Sequence, residues 1–246
     1  MTPSERPRTG ATGDRALDVL RGGEVTVEGR IAGSSNVTLL VSCRLDGDEL
    51  PAVYKPGRGE RPLWDFPAGL HQREVAAFEL SEILGWGIVP ETVARPDGPF
   101  GPGSLQRFVP EEGTEHYFTL REEPAWWPAL VRIAAFDVVA NNADRKSGHV
   151  LLAEDRLWAI DHGVCFHHEP KLRTVIWDFA GEAVPPSLRK DLRRLVDQGL
   201  PESLAALLDP GEGAALLARA AALADRGCLP VPPEGGRWPP YPWPLV

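Results

Sequence analysis

A chain of 246 residues is long enough for one two-lobed domain or two small ones, a single unit being favoured, and its 43% hydrophobic and 25% charged side chains are those of a soluble globular protein. Its 25 Pro and 25 Gly are dispersed between apolar segments, where they punctuate a fold and do not mark disorder. A formal net charge of −9 with no Lys/Arg stripe excludes broad nucleic-acid binding. Three scattered cysteines, Cys43, Cys165 and Cys228, exclude a disulfide framework and a zinc finger and fit a reducing compartment.

Residues 1–13 read as a loose, polar tail without the apolar core of a signal peptide. No apolar run reaches the roughly 18 residues of a membrane span, so a cytoplasmic protein without a stable membrane anchor is expected. A short helix is predicted over 14–20, stopped by Gly22-Gly23, and the stretch 24–56 then alternates like an antiparallel sheet. Val25 and Val27 alternate with polar neighbours, 37–41 is rich in β-formers, and Asp46-Gly47 is a hairpin turn. Between the first two strands Gly33-Ser34-Ser35-Asn36 forms a tight loop of small residues. Such a loop is often only a turn, but it can also bring backbone N–H groups to phosphate oxygens. Lys55 closes the strand PAVYKP. It reads either as a solvated edge residue or as an ammonium for phosphates, and the second role needs a carboxylate to hold it.

The next helix, over 71–84, offers Glu74 in its first turns, with Glu79 and Glu82 as solvated competitors. A strand at 87–92 and a glycine/proline-rich turn lead to a β-like run at 104–110. Residues 111–123 read as a loop and 124–142 as a long helix, whose Trp126-Trp127 pair is assigned to the core and whose Asp137 is a structural hydrogen-bonding residue. Within FDVVANNADRKSGHVLLAEDRLWAIDHG (136–163), a polar loop carrying Asp144, Arg145, Lys146 and His149 precedes two short strands, HVLL and LWAI, joined by AEDR. The hairpin can fold Asp161 back toward Asp144. One carboxylate to orient a hydroxyl and another to hold a metal are the minimum that phosphoryl transfer needs. Beyond Gly163 no period is clear until two helices at about 187–207 and 211–226. The tail, with Trp238, Tyr241 and Trp243, is extended by its prolines and free either to pack back or to meet a partner.

Asp144, Lys146 at plus two and His149 at plus five, followed by Ile160-Asp161-His162-Gly163, resemble the catalytic and metal loops of the protein-kinase-like fold. The wording is similar to the phosphatidylinositol 3-/4-kinase branch, especially the type II phosphatidylinositol 4-kinases, with HipA-type toxin kinases more distant. The chain resembles an actinobacterial family described as phosphatidylinositol-kinase-like. The resemblance implies a bilobal α+β fold: a small antiparallel β lobe at about 14–105, a linker at 106–109 and a mainly helical lobe at about 110–246. It implies ATP and Mg²⁺ or Mn²⁺ as cofactors. Ser34, Ser35 and Asn36 would cover the phosphates, Lys55 paired with Glu74 would hold them, and Gln106, Arg107, Phe108 and Val109 would meet adenine through their backbone. Asp144 would take the hydroxyl proton, Lys146 would neutralise the phosphoryl group, and Asp161 would ligate the metal.

Two departures bear on chemistry. Type II lipid kinases generally lack a Lys at the position of Lys146. His149 stands where the family has Asn, so it either ligates, shifting preference toward Mn²⁺, or hydrogen-bonds locally outside the metal shell. The expected activity is transfer of the ATP γ-phosphate to an alcohol of a lipid, protein or small metabolite, the acceptor being unidentified. A lipid is disfavoured by the lack of a polybasic run or lipidation signal. The alternatives are a catalytically weak nucleotide-binding regulatory module and a metal-dependent hydrolase built on His149, His162, His167 and His168 with the two aspartates.

Overall fold

The computed structural model describes residues 8–9, 12–111, 113–233, 235 and 239–245. The chain divides into two compact units, Met1–Val75 with Pro90–Val109, and Ala76–Val89 with Pro110–Val246.

In the first unit β1 (Arg8–Thr9), β2 (Glu24–Arg30), β3 (Leu39–Leu45), β4 (Asp48–Pro56), β5 (Thr92–Arg95) and β6 (Gly103–Arg107) form one sheet in the order β2-β3-β4-β6-β5. The neighbours along this order are antiparallel, while β1 lies parallel to β4. Asp46 and Gly47, at φ 51° and 86°, form the tight turn between β3 and β4 and set the register Cys43↔Leu50 and Val41↔Ala52. Because side chains alternate across a strand, Val41, Cys43, Leu50, Ala52 and Tyr54 fall on one face. There they bury Ala16, Val19 and Leu20 of α1 (Asp14–Gly22). A Cβ at Gly23 would lie 2.5 Å from the Val19 carbonyl oxygen, so glycine alone permits the helix to stop against β3. Arg95 completes the stop by donating to the carbonyls of Leu20 and Gly23 at 2.8 and 2.9 Å. The predicted strand at 87–92 is corrected. Residues 87–91 are irregular because the Ser81 hydroxyl accepts from the N–H groups of Ile88 and Val89, and pairing begins only at Thr92.

Helix α2 (Leu70–Leu84) contributes Leu70–Val75 to the first unit and the rest to the second. Its Val75, Ala76, Ala77 and Phe78 are buried in an unbroken apolar stretch, with Leu80 buried beyond Glu79, which explains the weak helical period of this segment. The second unit continues with α3 (Tyr117–Leu120), which interrupts the predicted loop, then α4 (Trp127–Ala140) and a hairpin of β7 (Val150–Ala153) and β8 (Arg156–Ala159). The hairpin turn is the two residues Glu154-Asp155, both at positive φ, and is shorter than the four-residue AEDR expectation. Helices α5 (Pro186–Gln198), α6 (Glu202–Ala205) and α7 (Pro210–Arg226) follow. Leu188, Leu192 and Leu195 of α5 and Leu216, Ala220 and Leu223 of α7 are buried, and α7 also packs on α4.

The single helix expected over 187–207 is two helices. Gly199 turns at φ 74° and Pro201 has no N–H to continue the ladder. Trp127 is corrected as well: it is 46% exposed, its indole N–H donating to the Arg121 carbonyl, and it serves as a helix-start clasp and not as core. Of the tail, Trp238 lies outside the described residues, while Tyr241 and Trp243 are exposed. Among the described residues no helix is long and apolar enough to cross a membrane.

Candidate active site

In the first unit, β4 carries Lys55 to a position where its Nζ donates to Glu74 Oε1, with the Glu74 side chain only 3% exposed. Glu74 is held there by the anchored start of α2. Glu60 accepts from the N–H groups of Gly69 and His71 at 2.9 and 2.8 Å, and its Oε1 lies 2.6 Å from His71 Nδ1. Burial pushes the Glu60 carboxyl up, but the hydrogen bonds from His71 and from the backbone of Gly69 and Leu70 outweigh it. Together they hold the group down to about 2.

The loop with Ser34, Ser35 and Asn36 spans β2 and β3. Its neck is closed by Ile31 N–H on the Thr38 carbonyl, and Asn36 Oδ1 accepts from the N–H of Arg61 at 2.9 Å. Of the four expected linker residues, Gln106 and Arg107 are the end of β6, with side chains turned into the unit: Gln106 Nε2 donates to Thr92 Oγ1 at 2.8 Å and Arg107 Nε to Glu91 at 2.5 Å. Phe108 N–H donates to the Pro51 carbonyl and Val109 is buried. The side chains of Gln106 and Arg107 thus serve the sheet, and any purine contact from this run would be made by main chain.

In the second unit the site grows from the end of α4. Asn141 caps the helix in the left-handed conformation, and its side chain ties down the following segment by donating to the carbonyls of His167 and Glu169 and accepting from Lys171 N–H. Asn142 Oδ1 accepts from Asp144 N–H at 3.0 Å, an Asx turn that sets the loop. Beneath it lies Arg145, fully buried. Its Nε and Nη2 donate to the equally buried Asp137, its Nη1 to the carbonyls of His149 and Ile160 at 3.1 and 2.7 Å, and its Nη2 is 2.7 Å from His162 Nε2. One guanidinium therefore joins α4, the loop and the exit of β8. Burial alone would push Arg145 down, but the Asp137 charge and hydrogen bond raise it.

On this base Asp144 and Lys146 face each other, Nζ to Oδ2 3.3 Å. Burial lifts the Asp144 carboxyl and Asp161 adds to the lift. Lys146 and Arg173 pull it back, leaving it at about 6. Asp161 leaves β8 at φ 61°, an uncommon conformation for a non-glycine residue, with Ile160 pinned through both its N–H, on the His149 carbonyl, and its carbonyl, on Arg145. The two carboxylates predicted to converge thus influence each other directly. His149 Nε2 lies 3.3 Å from Asp161 Oδ2, and its Nδ1 accepts from Lys146 N–H at 3.4 Å.

These donors fit a divalent cation of the Mg²⁺ type, which is held by one or two carboxylates and completes its shell with phosphate oxygens and water. They do not form a closed cage. Among the described residues no three His, Cys, Asp or Glu side chains gather as a metal site. The histidines of the hydrolase alternative have other work: His162 lies against Arg145, His167 Nδ1 accepts from Glu169 N–H, and the rings of His167 and His168 stack at 4.5 Å. Asn141, Asn142, Arg145 and Glu60 are the residues that sequence patterns missed. The one available signal was Asp137, a carboxylate on an otherwise apolar helix stretch, which requires a buried partner.

No protein-family model matches the chain. Among solved structures it is similar to the Golgi casein kinase, at a TM-score of 0.57 and 17% identity over 85% of this chain and 74% of that one. A structure of the same kinase with Mn/ADP bound matches at 0.55. Hydra Fam20 with sugar matches at 0.53 and 14% identity, covering 86% of each chain. The Helicobacter pylori proinflammatory kinase CtkA matches at 0.50 and 11% identity, over 85% of this chain and 94% of that one. These likenesses establish a protein-kinase-like fold, with an antiparallel β part and a helical part. In sequence the chain is 39% identical over 264 residues to protein Rv2133c of Mycobacterium tuberculosis, spanning 92% of this chain and 94% of that protein. At that identity and coverage the chain belongs to the family of protein Rv2133c.

Proposed function

We propose that the protein is an ATP-dependent phosphotransferase that moves the γ-phosphoryl group to an alcohol hydroxyl of a lipid, protein or small metabolite. Within the fold we place it on the phosphatidylinositol 3-/4-kinase side. The observation that carries this reading is the loop 141–147, which sets Asp144 against Lys146 while Asp161 stands near enough to raise the Asp144 carboxyl. In this role Asp144 accepts the hydroxyl proton as that oxygen bonds to the γ-phosphorus, the bond to the β-phosphate oxygen breaks, and ADP leaves. Lys146 offsets negative charge on the phosphoryl oxygens. Lys55, fixed by Glu74, is assigned to the other phosphates, with backbone N–H groups around Ser34, Ser35 and Asn36 as further donors and the main chain of residues 106–109 for the purine. Asp161, with His149 beside it, would hold Mg²⁺ or Mn²⁺, and a bound ion would supply charge neutralisation at the phosphate oxygens. The Mn/ADP complex of the Golgi casein kinase supports that cofactor assignment by analogy of fold.

One observation favours a second reading, a nucleotide-binding regulatory module with little turnover. Both ring nitrogens of His149 are engaged within the protein, by Asp161 and by Lys146 N–H, at a place where the kinase loops that this segment resembles have an Asn. Transfer from γ-labelled ATP, with Mg²⁺ and Mn²⁺ in parallel and Asp144→Ala as control, separates the two. Turnover lost in the variant supports the enzyme. Nucleotide binding without turnover that depends on Asp144 supports the module.

A further inference from the structure

The segment 239–245 touches the candidate catalytic loop at its main chain. Ser147, the residue after Lys146, is fully buried, and its N–H donates to the Leu245 carbonyl at 2.9 Å. Thr174 N–H, also buried, and the Trp177 indole both donate to the Pro240 carbonyl at 3.0 Å. Thr174 is itself bridged to Arg145: Arg145 N–H donates to the Arg173 carbonyl and Val175 N–H to the Arg145 carbonyl. Between the two anchors Pro242 is buried, whereas Tyr241 and Trp243 point outward, Trp243 at 87% exposure. The tail thus grips the loop from both sides, directly at Ser147 and through the 173–175 run at Arg145. Buried N–H groups require an acceptor, and here the tail supplies it.

We propose that residues 239–245 are a positioning strap for the catalytic loop, a built-in brace that holds Asp144 and Lys146 in register. The functional part of this inference rests on the phosphotransferase reading. The structural part does not. A strap attached mainly by backbone bonds can be released without disturbing the core of α4, α5 and α7, and exposed Tyr241 and Trp243 give it outward handles. Local opening of this kind is what amide exchange measures.

The test uses the full chain with three substitutions. Ser147→Pro removes the N–H that meets Leu245 together with the hydroxyl, whose loss Ser147→Ala reproduces alone. The position tolerates proline, because it opens a 3₁₀ turn and follows Lys146 at ψ 166°. Pro242→Asp places a charge at the buried middle of the strap. Ser147→Ala is the control, since the Ser147 hydroxyl has no hydrogen-bond partner among the described residues. By hydrogen–deuterium exchange, Ser147→Pro and Pro242→Asp are expected to accelerate exchange in 144–149 and 173–177 about tenfold, the equivalent of one lost hydrogen bond. Exchange in α5 and α7 should stay as in the parent. Turnover of ATP should show kcat lowered by a similar factor, with the KM for ATP changed less than about twofold. Unchanged exchange in 144–149, or acceleration spread evenly over the second unit, would overturn the strap. Faster exchange with unaltered kcat would overturn its positioning role. Should Ser147→Pro fail to fold, Pro242→Asp decides by itself. A parent chain without any turnover would sink the phosphotransferase reading while the exchange result still judges the strap.

Discussion

Replacing Arg145 by Met tests the base on which the candidate site stands. The side chain is apolar and flexible and fills the space of the aliphatic stem, while the charge and its donors vanish. Asp137 is fully buried and would be left with the Asn142 amide at 3.0 Å in place of a two-pronged guanidinium. The carbonyls of His149 and Ile160 lose a donor as well. Breaking a buried ion pair from one side costs about 3–5 kcal/mol, against a total stability on the order of 5–15 kcal/mol for a folded domain. The variant is therefore expected to lose roughly a fifth or more of its stability in urea unfolding followed by tryptophan fluorescence. Arg145→Met combined with Asp137→Leu removes both charges and should recover about 1–3 kcal/mol of that loss, because the uncompensated carboxylate accounts for much of it. A single variant that loses less than about 1 kcal/mol, or a double variant whose losses simply add, would refute the claim that this pair is the base of the loop.

Three further outcomes follow from the geometry. Glu60, held down from 4.5 to about 2, contributes stability that is complete above pH 4.5 and is lost as pH falls toward 2. Glu60→Gln should cost about 1–2 kcal/mol at pH 7, allowing for the solvent that reaches the group, and should flatten stability across that window in urea titrations at several pH values. Asp144 should titrate near 6 in the protein alone by carbon-detected NMR. Added Mg²⁺ should lower that midpoint by about a unit, because a cation at Asp161 cancels the charge that lifts it; an unmoved midpoint would count against Asp161 as a metal ligand. In steady-state kinetics Lys55→Met should raise the KM for ATP about tenfold or more, and an unaltered KM would remove Lys55 from the phosphate site.

The left-handed conformation of Asp161 and the buried charges under Asp144 are both unfavourable taken singly, by roughly 1–3 kcal/mol for such a backbone. They persist because Ile160 is fixed at both its N–H and its carbonyl by neighbours that Arg145 in turn holds. Such a concentration of locally unfavourable features at one loop is consistent with the proposed chemistry there.

Sequence alone determined whatever rests on local backbone chemistry. Asp46-Gly47 names its turn because only residues at ease with positive φ suit it, Gly22-Gly23 ends α1, and the alternation of β3 and β4 assigns their buried face. The resemblance to kinase loops singled out Lys55, Glu74, Asp144 and Asp161, and of the pairing it implied the contact of Lys55 with Glu74 is made. Where two local signals competed, the outcome belonged to the fold: leucine spacing over 187–207 argued for one helix, and Gly199 with Pro201 divided it. Tertiary structure alone decided the partners. A buried Arg145 reads in sequence like any solvated arginine, Glu60 as a loop acid eleven residues from the His71 it meets, and the proline-rich tail as an extended end free either to pack back or to meet a partner. Each acquires its meaning from groups distant along the chain, because desolvation makes a polar atom's worth depend on what stands beside it in space.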